Sequence, residues 1–138
     1  MQEWLKNCLL NHKSCNSIAT DFLPTRLLDL EAFNGMSADL KDDIKLVHSA
    51  SLHFHETASA PRYITLSHCW GPPEKRPVVT NHGNLAARMK RISFADLPKT
   101  FQDTVVLTRK LGQRYLWIDS LCIIQDDEQD WANEASTM

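Results

Sequence analysis

The stretch RYLWIDSLCIIQDD, residues 114–127, is the most apolar part of the 138-residue chain. Its first half is a continuous apolar run without polar alternation, which is typical of a strand buried on both faces of a sheet. The carboxylate of Asp119 follows directly, and an unpaired charge is costly to bury. We therefore predict a buried strand over residues 115–119, with Asp119 at its tip and outside the core.

A helix is predicted immediately before this strand. Residues 97–112, LPKTFQDTVVLTRKLG, have apolar side chains at helical spacing and end at Gly112, a common helix stop. Thr100 followed by Asp103 resembles a capping box, which places the predicted helix at residues 100–111.

A second strand is predicted over residues 62–67, because RYITLSHCWG begins with residues that favour β structure and ends at a glycine. The order strand, helix, strand predicts a parallel pair with a right-handed crossover.

Upstream, residues 2–10 repeat apolar side chains at helical spacing, which predicts a helix. Two apolar runs at 24–30 and 43–49 could pair as an antiparallel ribbon. The predicted fold class is α/β, with a parallel βαβ core, an N-terminal helix and a β-ribbon.

Composition narrows the classes of function. The formal net charge of -2 gives no electrostatic reason to expect a nucleic-acid or membrane partner. No apolar run approaches the roughly 20 residues that cross a bilayer, and the N-terminus lacks the apolar core of a secretory signal. The four cysteines are therefore expected as reduced thiols in the cytoplasm.

Cys8, His12 and Cys15 lie close together in the sequence and could be zinc ligands. Tetrahedral zinc needs a fourth ligand, and no second pair of ligands completes the site, so no metal is predicted.

Polar side chains follow both strands of the predicted parallel pair. In open parallel sheets, ligands bind beyond the carboxyl ends of the strands. We therefore predict a binding cleft at that edge, and its candidate residues are Ser67, His68, Trp70, Ser120, Cys122, Gln125 and Asp126.

Asp119 has two interpretations at this position. An Asp at a strand end often caps the loop that follows by accepting backbone N–H bonds. It could instead line the cleft as a site residue. A nucleophile arrangement of Cys122 or Cys69 with His68 and Asp119 is not favoured, because the neighbours His68 and Cys69 point to opposite faces of a strand.

Three ordered motifs carry a family resemblance: YITLSHCWG at 63–71, LPKTFQDTVVLTRKLGQRYLWIDSLCIIQDD at 97–127 and DWANEASTM at 130–138. Together they resemble the fungal heterokaryon incompatibility (HET) domain. The resemblance implies a role in non-self recognition and regulated cell death when incompatible hyphae fuse. It also implies a distant likeness to TIR domains, an α/β family in which some members cleave NAD.

On this resemblance, residues 1–58 form a helix and ribbon that precede the domain, and residues 59–138 form the N-terminal part of a HET domain. The family continues past the position of Met138, and the chain ends within a predicted helix, so a truncated chain is expected. NAD is expected as a substrate and no cofactor is expected; Asp119 and Glu134 are the carboxylates implied to act on it. The alternatives are a non-catalytic signalling or assembly module and an inactive fragment. The expected partner is a second copy of the chain or an incompatibility protein.

Overall fold

The computed structural model of the protein describes residues 2–12, 23–33, 39–52, 62–72, 74 and 78–137. Its helices are α1 (Gln2–Asn11), α2 (His82–Lys90), α3 (Lys99–Lys110), α4 (Asp119–Cys122) and α5 (Glu128–Thr137). Its strands are β1 (Arg26–Asp29), β2 (Lys45–His48), β3 (Tyr63–Leu66) and β4 (Tyr115–Ile118), and short 3₁₀ turns occupy Ser49–Ser51 and Phe94–Asp96. None of the helices in these ranges has the length and apolar character that crossing a bilayer requires.

The four strands form one sheet in the order β2-β1-β4-β3. β3 and β4 are parallel and in register from Tyr63 opposite Tyr115 to Leu66 opposite Ile118, as predicted from the strand–helix–strand order. β1 and β2 form the predicted antiparallel ribbon. β1 also pairs with β4, antiparallel, so that the ribbon and the parallel pair share a single sheet. The α/β fold class is confirmed.

β4 is buried on both faces, which is the physical reason for its continuous apolar sequence. All four of its residues are buried, β1 and β3 flank it, and α3 and α4 contact it. α3 presents Phe101, Val105 and Thr108 as its buried face, matching the apolar spacing of the sequence. The core of the domain is formed by side chains from β1, β2, β4, α3 and α4.

The predicted capping box at the start of α3 is wrong. The helix begins at Lys99, and the carbonyl of Pro98 accepts the N–H groups of Phe101 and Gln102. Thr100 therefore lies inside the first turn, and Asp103 forms an ion pair with Lys99 instead of reaching back to a cap. Pro98 is the N-cap of α3, and its side chain makes no capping hydrogen bond.

Two arginines attach the ribbon to the rest of the sheet. Arg114 makes a bidentate ion pair with the buried carboxylate of Asp29, with N–O distances of 2.9 and 2.8 Å. The hydrogen bond to Asp29 raises the pKa of Arg114. Arg109 on α3 donates to three backbone carbonyls of the segment that follows β1, those of Leu30, Leu40 and Asp42. These contacts fix the position of β1 beside β4.

Gly112 ends α3 in the left-handed region, with φ of +70°. A Cβ at this position would meet only the end of the Gln2 side chain, at 3.8 Å. A side chain here would therefore destabilise the fold through its unfavourable backbone conformation and not through crowding. We expect Gly112→Ala to lower the free energy of unfolding by about 1–2 kcal/mol. Gly112→Asn is expected to cost less, because Asn tolerates this conformation. Urea unfolding measures both, and equal losses for Ala and Asn would contradict the explanation.

Candidate functional site

A cleft of about 390 Å³ opens where β3 and β4 end. The carboxyl ends of the two parallel strands meet at this edge of the sheet, the place where open parallel sheets bind ligands. α5 supplies another wall. The residues that line this β3–β4 cleft are Thr65, Leu66, Ser67, His68, Trp117, Asp119, Ile123, Trp131 and Ala135. Its volume lies at the low end of the range of about 300–1,000 Å³ for small-molecule sites.

Asp119 accepts a backbone N–H bond from the turn that follows and also lines the cleft. It is the first residue of α4 and follows β4 directly. Its Oδ1 accepts the backbone N–H of Ser120 at 2.7 Å, and its Oδ2 accepts the indole N–H of Trp70 at 2.8 Å. The side chain is nevertheless 35% exposed and lines the cleft. Two N–H donors therefore fix the orientation of a carboxylate that a ligand can reach.

His68 lies beside Asp119 on the same wall. Its Nδ1 is 3.6 Å from Oδ1 of Asp119, which is longer than a hydrogen bond, and its ring meets Phe101 edge-on with the centroids 5.0 Å apart. The side chain is only 10% exposed, and neither ring nitrogen has a hydrogen-bond partner among the described residues. His68 therefore lies next to the carboxylate of Asp119 without a hydrogen bond to it.

Two tryptophans that the sequence did not assign to the site also line it. Trp117 shares a face of the sheet with Thr65, its partner in register. Its buried Nε1–H has no acceptor in the part of the chain that the structure describes. Trp131 stands on α5 and is 56% exposed, so an aromatic surface is open to the cleft.

The structure brings only some of the predicted residues together. Ser67 and His68 line the cleft, and Trp70 reaches it through its hydrogen bond to Asp119. Ser120 is fully buried, and its carbonyl accepts the N–H of Thr80 at 2.9 Å.

Gln125 and Asp126 are not among the residues that line the cleft. The side-chain amide of Gln125 donates to the carbonyls of Asp119 and Ile123, which supports the turn of α4. Asp126 accepts the N–H of His82 at 2.9 Å, at the first residue of α2. Both side chains therefore join neighbouring segments of backbone.

Glu134 is not among the residues that line the cleft. It is 2% exposed, and its Oε1 accepts the N–H of Thr25, just before β1, at 3.0 Å. Burial, and then the charge of Glu134, raise the pKa of Tyr63. Glu134 thus joins α5 to the sheet, while Asp119 faces the cleft.

Cys122 is fully buried, and burial raises the pKa of its thiol to about 12. A nucleophilic cysteine needs an accessible thiolate, so this environment disfavours Cys122 as a nucleophile.

We expect an aromatic disulfide reagent to modify exposed Cys69 rapidly in the folded protein and to leave Cys122 unmodified. Cys69→Ser should remove one fast-reacting thiol, and Cys122→Ser should remove none. Unfolding in urea should then expose Cys122 to the reagent. A fast phase that is lost in Cys122→Ser would contradict the assignment.

The described residues contain no group of three or more His, Cys, Asp or Glu side chains that could hold a metal ion. Cys8 lies within α1 and His12 follows that helix, whereas Cys15 lies outside the described residues.

Comparison with protein families matches residues 63–138 to the heterokaryon incompatibility protein (HET) family, which is more than half of the 138-residue chain. Neither the curated proteins nor the solved structures gave a match. The matched region begins at β3 and includes every residue that lines the β3–β4 cleft.

Proposed function

This chain belongs to the heterokaryon incompatibility (HET) family, and from that premise we propose that it cleaves NAD in the β3–β4 cleft. The cleavage would take place in the cytoplasm of fungal cells, during the regulated cell death that follows non-self recognition. One observation carries the catalytic part of the proposal. The carboxylate of Asp119 is held by two N–H donors on the wall of a cleft at the ends of parallel strands. Clefts in this position commonly bind nucleotides.

The proposed reaction breaks the bond between nicotinamide and its ribose. The bonding electrons leave with nicotinamide, which becomes neutral, and positive charge develops on the ribose. The carboxylate of Asp119 would stabilise that oxocarbenium-like transition state, as carboxylates do in glycoside hydrolysis. Water then attacks the ribose carbon, and the products are nicotinamide, ADP-ribose and a proton.

Preorganisation supports this role for Asp119. The N–H groups of Trp70 and Ser120 hold the carboxylate in place before a substrate arrives, so little reorganisation is needed as charge develops. His68, whose Nδ1 is 3.6 Å from Oδ1 of Asp119, lies on the same wall of the cleft. The proposal gives Glu134 a packing role, because its Oε1 is bonded to Thr25. A distant likeness to TIR domains stays a prediction.

A non-catalytic assembly module is the second candidate. α1 exposes two large apolar side chains, Trp4 and Leu10, which suits contact with a second copy or with an incompatibility protein. In that case, clustering of the domain would signal without consuming NAD.

Expression in a fungal host under inducible clustering tests the proposed function. Cellular NAD and hyphal survival are measured over time for the wild type, for Asp119→Asn and for Asp103→Asn. Asp103 is a matched control, since it is an exposed acid on α3 outside the cleft. Loss of NAD before death, in the wild type and the control but not in Asp119→Asn, is the expected result. Death at constant NAD would overturn cleavage and favour the assembly module.

A further inference from the structure

We propose that the β3–β4 cleft binds a flat, positively charged aromatic ring. For NAD, this means that the cleft holds the oxidised pyridinium ring and leaves the phosphates outside. The inference rests on the proposed function for its choice of NAD, and it adds the chemical class that the cleft selects.

The charge of the cleft favours a positively charged ligand. Asp119 is the one carboxylate among the residues that line it, and no lysine or arginine is among these described residues. A carboxylate in a partly enclosed site attracts a cation more strongly than it would in water, because the local dielectric constant is lower. The same charge repels phosphate, which arginine and lysine side chains normally bind.

The indole of Trp131 forms an aromatic wall of the cleft, which favours a flat cation. Trp131 is 56% exposed and lines the cleft, so the face or edge of its ring is open to a ligand. The electron-rich face of an indole attracts a cation, and Trp is the strongest of the aromatic side chains in this respect. Ala135 lies four residues later on the same side of α5 and also lines the cleft. Its small side chain leaves space beside the indole.

The size of the cleft agrees with a single ring. A volume of about 390 Å³ is at the small end for ligand sites and suits one aromatic group better than a whole dinucleotide. Trp117 also lines the cleft and adds a second aromatic side chain to its wall.

Calorimetric titration of the full chain tests the inference with a matched pair of probes. 1-Methylnicotinamide is a cation, and 3-methylbenzamide is its neutral carbon isostere of the same shape. The cation should bind about tenfold or more tightly than the isostere. ADP-ribose, which carries the phosphates without the pyridinium ring, should bind no better than the isostere.

Variants of two exposed tryptophans show whether the affinity depends on the indole in the cleft or on any exposed indole. Trp131→Leu should weaken binding of 1-methylnicotinamide by about fivefold or more, and Trp131→Phe should retain part of the affinity. Trp4→Leu, which removes an exposed indole on α1, should leave the affinity for 1-methylnicotinamide unchanged. Equal affinities for the two probes, or equal effects of Trp131→Leu and Trp4→Leu, would overturn the inference.

The two proposals fail in different ways. If 1-methylnicotinamide binds selectively but NAD stays intact, the cation site stands and NAD cleavage does not. If NAD is cleaved while the two probes bind equally, cleavage stands and the cation site is overturned.

Discussion

We expect Asp119→Asn to lower the rate of NAD cleavage by about 100-fold or more, because the variant loses the negative charge that stabilises the transition state. The size of the residue is nearly unchanged, so the cleft keeps its shape. Nicotinamide release by the purified protein at saturating NAD measures the effect on the chemical step.

Stability has to be measured alongside, because both oxygens of Asp119 accept N–H bonds. The amide of Asn has only one acceptor oxygen and would place its NH₂ group against either Trp70 or Ser120. We expect this mismatch to lower the free energy of unfolding by about 1–3 kcal/mol. Trp70→Phe provides the comparison, since it removes one donor but keeps the charge, and should lower turnover by less than Asp119→Asn does. A folded Asp119→Asn variant with wild-type turnover would contradict the assignment.

Arg26→Ala should lower the free energy of unfolding by about 3–5 kcal/mol. Arg26 is 3% exposed at the start of β1; its guanidinium pairs with Asp130 on α5, and its Nε donates to the carbonyl of Cys122 at 2.7 Å. The Oδ2 of Asp130 also accepts the N–H of Ile124 at 2.8 Å. Removing the arginine leaves a mostly buried carboxylate and a buried carbonyl without their cation.

Lys99→Ala is the matched control for Arg26→Ala. Lys99 and Asp103 form an ion pair four residues apart on the exposed surface of α3, where such pairs contribute about 0.3–0.5 kcal/mol. Chemical unfolding of both variants should therefore give losses that differ by several-fold. A loss in Arg26→Ala as small as that in Lys99→Ala would show that the buried pair does not join β1 to α4 and α5.

Local sequence predicted the elements of this fold but not all of their neighbours. The unbroken apolar run at residues 115–118 reflects burial on both faces, so β4 and its parallel partner could be found. The pairing of β1 with β4 depends on contacts such as Asp29 with Arg114, 85 residues apart in the chain, and no local pattern encodes that distance. The capping-box error arose because α3 begins at Lys99 with Pro98 as its N-cap, so Thr100 lies inside the first turn and cannot cap it.

The position of the cleft was predictable, because it follows from the order of the strands. Ser67, His68 and Asp119 come directly after the two parallel strands, so the rule for parallel sheets placed them correctly at the cleft. The alternation of side chains along a strand could also have placed Trp117 with Thr65. Trp131 could not be placed, because the position of α5 over the strand ends is decided by tertiary contacts such as Arg26 with Asp130.

The most direct test of NAD cleavage uses the purified full chain, clustered by fusion to a trimeric coiled coil and incubated with NAD. Chromatography then quantifies nicotinamide, ADP-ribose and the remaining NAD. We predict equal amounts of nicotinamide and ADP-ribose from the wild type and from Asp103→Asn, and little of either from Asp119→Asn. Intact NAD after incubation with the folded, clustered wild-type protein would contradict the account.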